Sequence, residues 1–166
     1  MKQFRIIAIL LLLSMLAGCS LPGNAESEVT FYYSRKEFAY GEENPVIVSE
    51  KRDIAGHEGD LRYILSLYLM GPLNEDLASI FPGTARLVGV KQTDHQLSVH
   101  LTPIARNLSD IEFSLACSSM TMTCMELTDC TSVTVVCGDR SVTLSESDLL
   151  LFDNPIPTET QGEENG

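Results

Sequence analysis

Four cysteines in the C-terminal half, Cys117, Cys124, Cys130 and Cys137, are the residues whose type and spacing could do chemistry. Thiols can pair, bind a soft metal or act as nucleophiles, and their spacing separates these uses. No CxxC occurs, which argues against a thiol-disulfide enzyme and against a zinc site. Cys117 and Cys124 are seven residues apart, so they share one face of a helix. Cys130 falls in the connector that follows, and Cys137 ends the next strand. A helix rises about 1.5 Å per residue and a strand about 3.3 Å. If the two run antiparallel from a turn near residue 129, Cys137 lies roughly 25 Å from that turn and Cys117 roughly 18 Å. Of the three connectivities open to four cysteines, those levels favour the nested disulfides Cys117–Cys137 and Cys124–Cys130. The other reading is four buried thiols, since free Cys packs as a small hydrophobe.

Nothing else in the chain has a catalytic spacing. His57 lies in the loop AGHEG, His95 in a turn, and His100 on the polar side of a strand. No HxxxH or HExxH is present, so no metal site is expected. No serine sits in GxSxG or SxxK, and there is no P-loop or GxGxxG. Glu42-Glu43 and Glu163-Glu164 read as solvated loop and tail. The expectation is a chain with no catalytic residue, no metal and no cofactor, hence not an enzyme.

The fifth cysteine has a different context. Lys2 and Arg5 precede an unbroken apolar run from Ile6 to Leu13, and Leu16-Ala17-Gly18-Cys19 follows. The stretch from Ile6 to Gly18 falls short of the roughly 20 residues a spanning helix needs. Its basic start and small residues before a break match a secretory signal. Leu-Ala-Gly-Cys resembles the lipobox of bacterial lipoprotein signals, which implies cleavage after residue 18 and a lipid on Cys19. Loss of residues 1–18 removes Lys2 and Arg5 and no acids, taking the formal charge from −12 to −14. Such an acidic chain is a poor electrostatic partner for nucleic acid or an anionic bilayer. The membrane would be held through acyl chains, of which two anchor stably.

The mature chain divides into a tether at 19–28, one domain at 29–152 and an acidic tail at 153–166 with the composition of disorder. Val29 to Tyr33 is β-branched and aromatic, and Pro45 to Ile54 reads as a second strand. Leu61, Ile64, Leu65 and Tyr68 recur at helical spacing on one face, and Gly71-Pro72 stops that helix. Phe81-Pro82-Gly83-Thr84 predicts a tight turn in which Gly83 takes positive φ. Arg86 to Gln92 and Gln96 to Thr102 form a hairpin whose Leu97, Val99 and Leu101 share a face. Asn107 to Thr128 is a second helix, started by Ser109 with Glu112 three residues on. Ser132 to Cys137 is a strand, and Ser141 to Leu144 pairs back onto it; Asp148 to Phe152 is an apolar piece of unassigned state. The order β-β-α-β-β-α-β predicts an α+β fold with two helices on one face of a mainly antiparallel sheet.

The punctuation of this order resembles the GerMN domain of GerM-type sporulation and spore-germination lipoproteins. The matching residues are Leu69, Gly71, Pro72, Leu77, Ser79, Ile80, Pro82, Gly83, Thr84, Leu87 and Val90, then Val133, Val135 and Gly138. The resemblance spans about residues 29–140. Where the family usually reads Val-Asp-Leu-Ser, this chain has Val99-His100-Leu101-Thr102, and cysteines in the second helix are unusual. The resemblance implies a non-catalytic module of the cell envelope in endospore formers. Some members look like ring-building units that assemble with other proteins between membranes.

The expected function is therefore a lipid-anchored extracytoplasmic domain that binds envelope or sporulation proteins and could build a homo-oligomer. The alternative is a lipoprotein that binds a small ligand or cell-wall glycan, with the loop from Gly71 to Thr84 as a rim.

Overall fold

The computed structural model describes residues 27–37, 45–103 and 108–149. Cys19, the leader and the tail from residue 153 lie outside them, as do residues 150–152 of the unassigned apolar piece. The elements in order are β1 (Glu28–Arg35), β2 (Ile47–Asp53), α1 (Leu61–Leu69), β3 (Leu77–Ala78), β4 (Leu87–Thr93), β5 (Gln96–Leu101), α2 (Asp110–Leu127), β6 (Ser132–Cys137), β7 (Arg140–Ser145) and α3 (Glu146–Leu149).

The fold is α+β and the expected order is present, with the two-residue β3 inserted after α1. The strands nonetheless divide into two sheets, β2-β1-β3 and β4-β5-β6-β7. In the second sheet β5 and β6 run parallel, with Val99 opposite Val135. The physical reason is α2. It is the crossover between β5 and β6, and a crossover through a helix returns the chain parallel. The same helix packs on β1 in one direction and on β6 and β7 in another, so it separates the sheets instead of lying on one face of one sheet. Its buried residues go beyond Phe113, Ala116, Cys117, Met120 and Cys124 to include Ser118, Ser119, Thr121 and Thr123.

Those hydroxyls close an open edge. β1 pairs with β2 along one side, but on the other side β3 reaches only Ser34 and Arg35. At Tyr32 the free backbone is taken by α2: Ser119 Oγ donates to the Tyr32 carbonyl, and Tyr32 N–H donates to Thr123 Oγ1 at 3.1 Å. Side chains of a helix thus take the place of a neighbouring strand, which leaves no bare edge there for intermolecular pairing.

Both long helices start as their sequences require. The Asp60 side chain accepts from Tyr63 N at 3.0 Å. Ser109 forms a full capping box, accepting from Glu112 N while Glu112 Oε2 accepts from Ser109 N. Gly71, at φ +98, closes α1 with a hydrogen bond from its N–H to the Tyr68 carbonyl. Leu97, Val99 and Leu101 are buried on one face of β5 as their alternation implies.

Gly83 differs from the expectation. The turn is closed by Ala85 N–H to the Pro82 carbonyl at 2.7 Å, one residue later than the sequence suggests. Gly83 then occupies its first central position, and it is not among the positive-φ glycines. The core joins the layers through Phe31 and Tyr33 of β1 and Tyr68 of α1, all nearly inaccessible. The Tyr33 and Tyr68 rings stack with centroids 5.0 Å apart, and Phe31 meets Tyr68 edge-on at 5.7 Å. Full burial of such a side chain stabilises by about 1.5–3 kcal/mol.

Candidate functional site

The most tightly built surface feature is the bend after α1. Glu50 and Arg52 are two apart on β2, so they project from the same face. They form a largely buried ion pair, with side-chain exposures of 10% for Glu50 and 7% for Arg52. Arg52 lies over the Phe31 ring, 5.1 Å from its centroid, and its Nη2 donates to the Gly71 carbonyl at 3.0 Å. Glu50 Oε2 accepts from Leu73 N at 3.0 Å and from Asn74 N at 2.8 Å. The pair on β2 therefore grips the backbone from residue 71 to residue 74. Burial raises the Glu50 pKa, but the Asn74 amide, the Arg52 guanidinium and the Leu73 amide together outweigh it and hold the carboxyl below its usual range.

The gripped bend presents apolar surface. Met70 is 82% exposed and Leu73 75%, on either side of Gly71-Pro72. Two large apolar side chains on a backbone already fixed in place can bury area against a partner with little ordering cost.

A second feature is a groove of about 450 Å³ where α1 begins and α2 ends. Ile54, Ile64 and Leu127 line it with apolar surface, and Glu58, Glu126 and Asp129 supply carboxylates. The last turn of α2 carries no basic residue, so the negative end of the helix adds to the acidic rim.

The four described cysteines are free and buried. Burial pushes the Cys117 thiol up to about 12, with Cys137 adding to the rise and Arg140 opposing it. Burial likewise raises Cys124, and Cys130 adds to it. Thiols held so far from ionisation are not nucleophiles at neutral pH. Cys137 instead donates its S–H to the Thr102 carbonyl at 3.0 Å.

All three histidines are exposed. His57 stacks on Tyr63 with ring centroids 3.5 Å apart, and His95 Nδ1 lies 3.2 Å from the Asp129 carbonyl. Among the described residues no group of three His, Cys, Asp or Glu is placed to hold a metal, and no helix is long and apolar enough to cross a membrane.

The sequence points to the loop from Gly71 to Thr84, which contains Leu73, but not to Glu50, Arg52 or Met70. The available signal was the charged pair Glu50 and Arg52 at strand spacing.

No family model matches the chain, and no curated protein matches it. Among solved structures, the tandem GerMN domains of the sporulation protein GerM from Bacillus subtilis align over 68% of this chain, with 20% identity and a TM-score of 0.50. The aligned part is 39% of that chain. A Clostridium perfringens protein described as a candidate lipoprotein aligns over 73% of this chain and 88% of its own, with 17% identity and a TM-score of 0.47. The fold of this chain is GerMN-like.

Proposed function

We propose that the chain is a lipid-anchored, extracytoplasmic and non-catalytic module that binds envelope proteins during sporulation or germination. The observation that carries this reading is the likeness of its fold to the tandem GerMN domains of a sporulation protein. The leader ending in Leu16-Ala17-Gly18-Cys19 supports anchoring through Cys19. The gripped bend with Met70 and Leu73 supports protein contact, either with another envelope protein or with a second copy of the chain. The formal charge of −12 supports partners other than nucleic acid.

Metabolic labelling with palmitate and membrane fractionation of the host, in growing and in sporulating cells, tests the reading. The labelled chain is expected in the membrane fraction, with Cys19→Ala abolishing the label. An unlabelled chain confined to the cytoplasm would contradict it.

The groove between α1 and α2 favours a second reading, binding of a small amine-bearing or cell-wall ligand, because its apolar wall and acidic rim suit a cationic amphipathic group. Co-sedimentation with purified peptidoglycan separates the two readings, since the protein-binding module has no need of it.

A further inference from the structure

The segments that carry the cysteines of α2 and those beyond it are tied pairwise by contacts that do not involve sulfur. The Thr128 hydroxyl donates to the Cys124 carbonyl at 2.9 Å and accepts from Cys130 N at 3.4 Å, so one side chain brackets both residues. At the far end of β6, Cys137 is opposite Arg140 in the ladder with β7. The Arg140 guanidinium covers the Phe113 ring, 4.0 Å from its centroid. Phe113 is one helical turn before Cys117. These contacts place the end of β6 that carries Cys137 beside the first half of α2, which holds Phe113 and Cys117, and tie Cys130 to the end of α2, near Cys124. The ionisation of the thiols follows the same pairing, Cys117 sensing Cys137 and Cys124 sensing Cys130. All four are buried, Cys130 at 6% exposure being the most accessible.

We propose that in the exported protein α2 is stapled to the segment after it by two nested disulfides, Cys117–Cys137 and Cys124–Cys130. The proposal rests on the extracytoplasmic reading, because thiols stay reduced in most cytosols. Each bond forms by exchange with a disulfide oxidant, either a thiol-disulfide oxidoreductase or a small-molecule disulfide. One thiolate of the pair attacks the oxidant S–S bond and releases one of its sulfurs as a thiol. The partner thiolate then displaces the second. Two cysteine S–H bonds are lost and one S–S bond is made, and the oxidant takes up the two electrons and two protons as two thiols. Because the folded core shields these sulfurs, the exchange accompanies folding and precedes closure of α2 on β6.

The test uses the full chain recovered from native membranes, with thiols labelled by N-ethylmaleimide in denaturant without reductant. Wild type processed at Cys19 is expected to take no label on the other four cysteines. Cys117→Ser is expected to take one label, on Cys137, and Cys124→Ser one label, on Cys130. Four labels on the processed protein, or a label on Cys124 in Cys117→Ser, would overturn the pairing. If the recovered chain retains residues 1–18, the export reading fails on its own, and the pairing is decided by refolding the denatured full chain with oxidised and reduced glutathione. Formation of the same two bonds there supports the pairing; four labelled thiols there overturn it.

Discussion

Thr123 on α2 accepts the backbone N–H of Tyr32 on β1 at 3.1 Å, and one turn earlier Ser119 donates to the Tyr32 carbonyl. Both hydroxyls have a second partner, Thr123 donating to the Ser119 carbonyl at 3.0 Å and Ser119 lying 2.9 Å from the Tyr68 hydroxyl. Three elements, β1, α1 and α2, thus meet in one buried polar chain.

The threonines of α2 separate two energetic cases. Thr123→Val removes the partner of a backbone donor and should cost about 1–3 kcal/mol, because an unpaired donor stays behind. Thr121 is equally buried, but its hydroxyl has no partner among the described residues. Thr121→Val should therefore be neutral or stabilising, since it removes an orphaned hydroxyl at nearly constant shape. Urea unfolding of the two variants checks the opposite signs, and equal destabilisation would contradict the role given to Thr123.

Two glycines should likewise behave differently. Gly138 has φ +68, and a Cβ there would stand 2.7 Å from Pro103 Cβ. A proline ring cannot swing away, so Gly138→Ala should cost about 1–3 kcal/mol or more. At Gly83 a Cβ meets nothing within 4 Å. Gly83→Ala should be neutral or stabilise by roughly 0.4–1 kcal/mol through the unfolded chain. Thermal midpoints of the two variants distinguish the sites.

Glu50 predicts an acid-sensitive bend. Its folded pKa is depressed below the unfolded value, which for Glu is about 4.3. The stability it contributes is full above that value and is lost as pH falls through the folded pKa. Glu50→Gln should therefore destabilise at neutral pH and show a shallower loss on acidification below about pH 4.3 than the wild type does. Parallel pH profiles for the two proteins would mean that Glu50 is not held as described.

Much of the fold was legible because its signals are local. The α1 stripe, the Gly71 stop, the Ser109 capping box and the alternation of Leu97, Val99 and Leu101 are each written within a few residues. The two-sheet arrangement was not. Ser118, Ser119, Thr121 and Thr123 carry no local signal of burial, and partners in β1 and α1 are what place Ser119 and Thr123 inside. β3 was missed because two residues carry no periodicity. The held bend was hidden for a third reason: Glu50 and Arg52 act on a backbone about twenty residues away, and nothing in Gly71-Pro72-Leu73-Asn74 encodes who holds it.

In the proposed function, the anchored module would meet envelope proteins through the bend that carries Met70 and Leu73. Replacing Met70 and Leu73 by serine should leave stability within about 0.5 kcal/mol, because neither side chain is packed. The most direct measurement is photocrosslinking from position 73 in sporulating cells of the host. Adducts are expected between the membrane-anchored chain and an envelope protein or a second copy, and are lost when Met70 is also replaced by serine. A folded, anchored chain that yields no position-73 adduct in sporulating cells would contradict it.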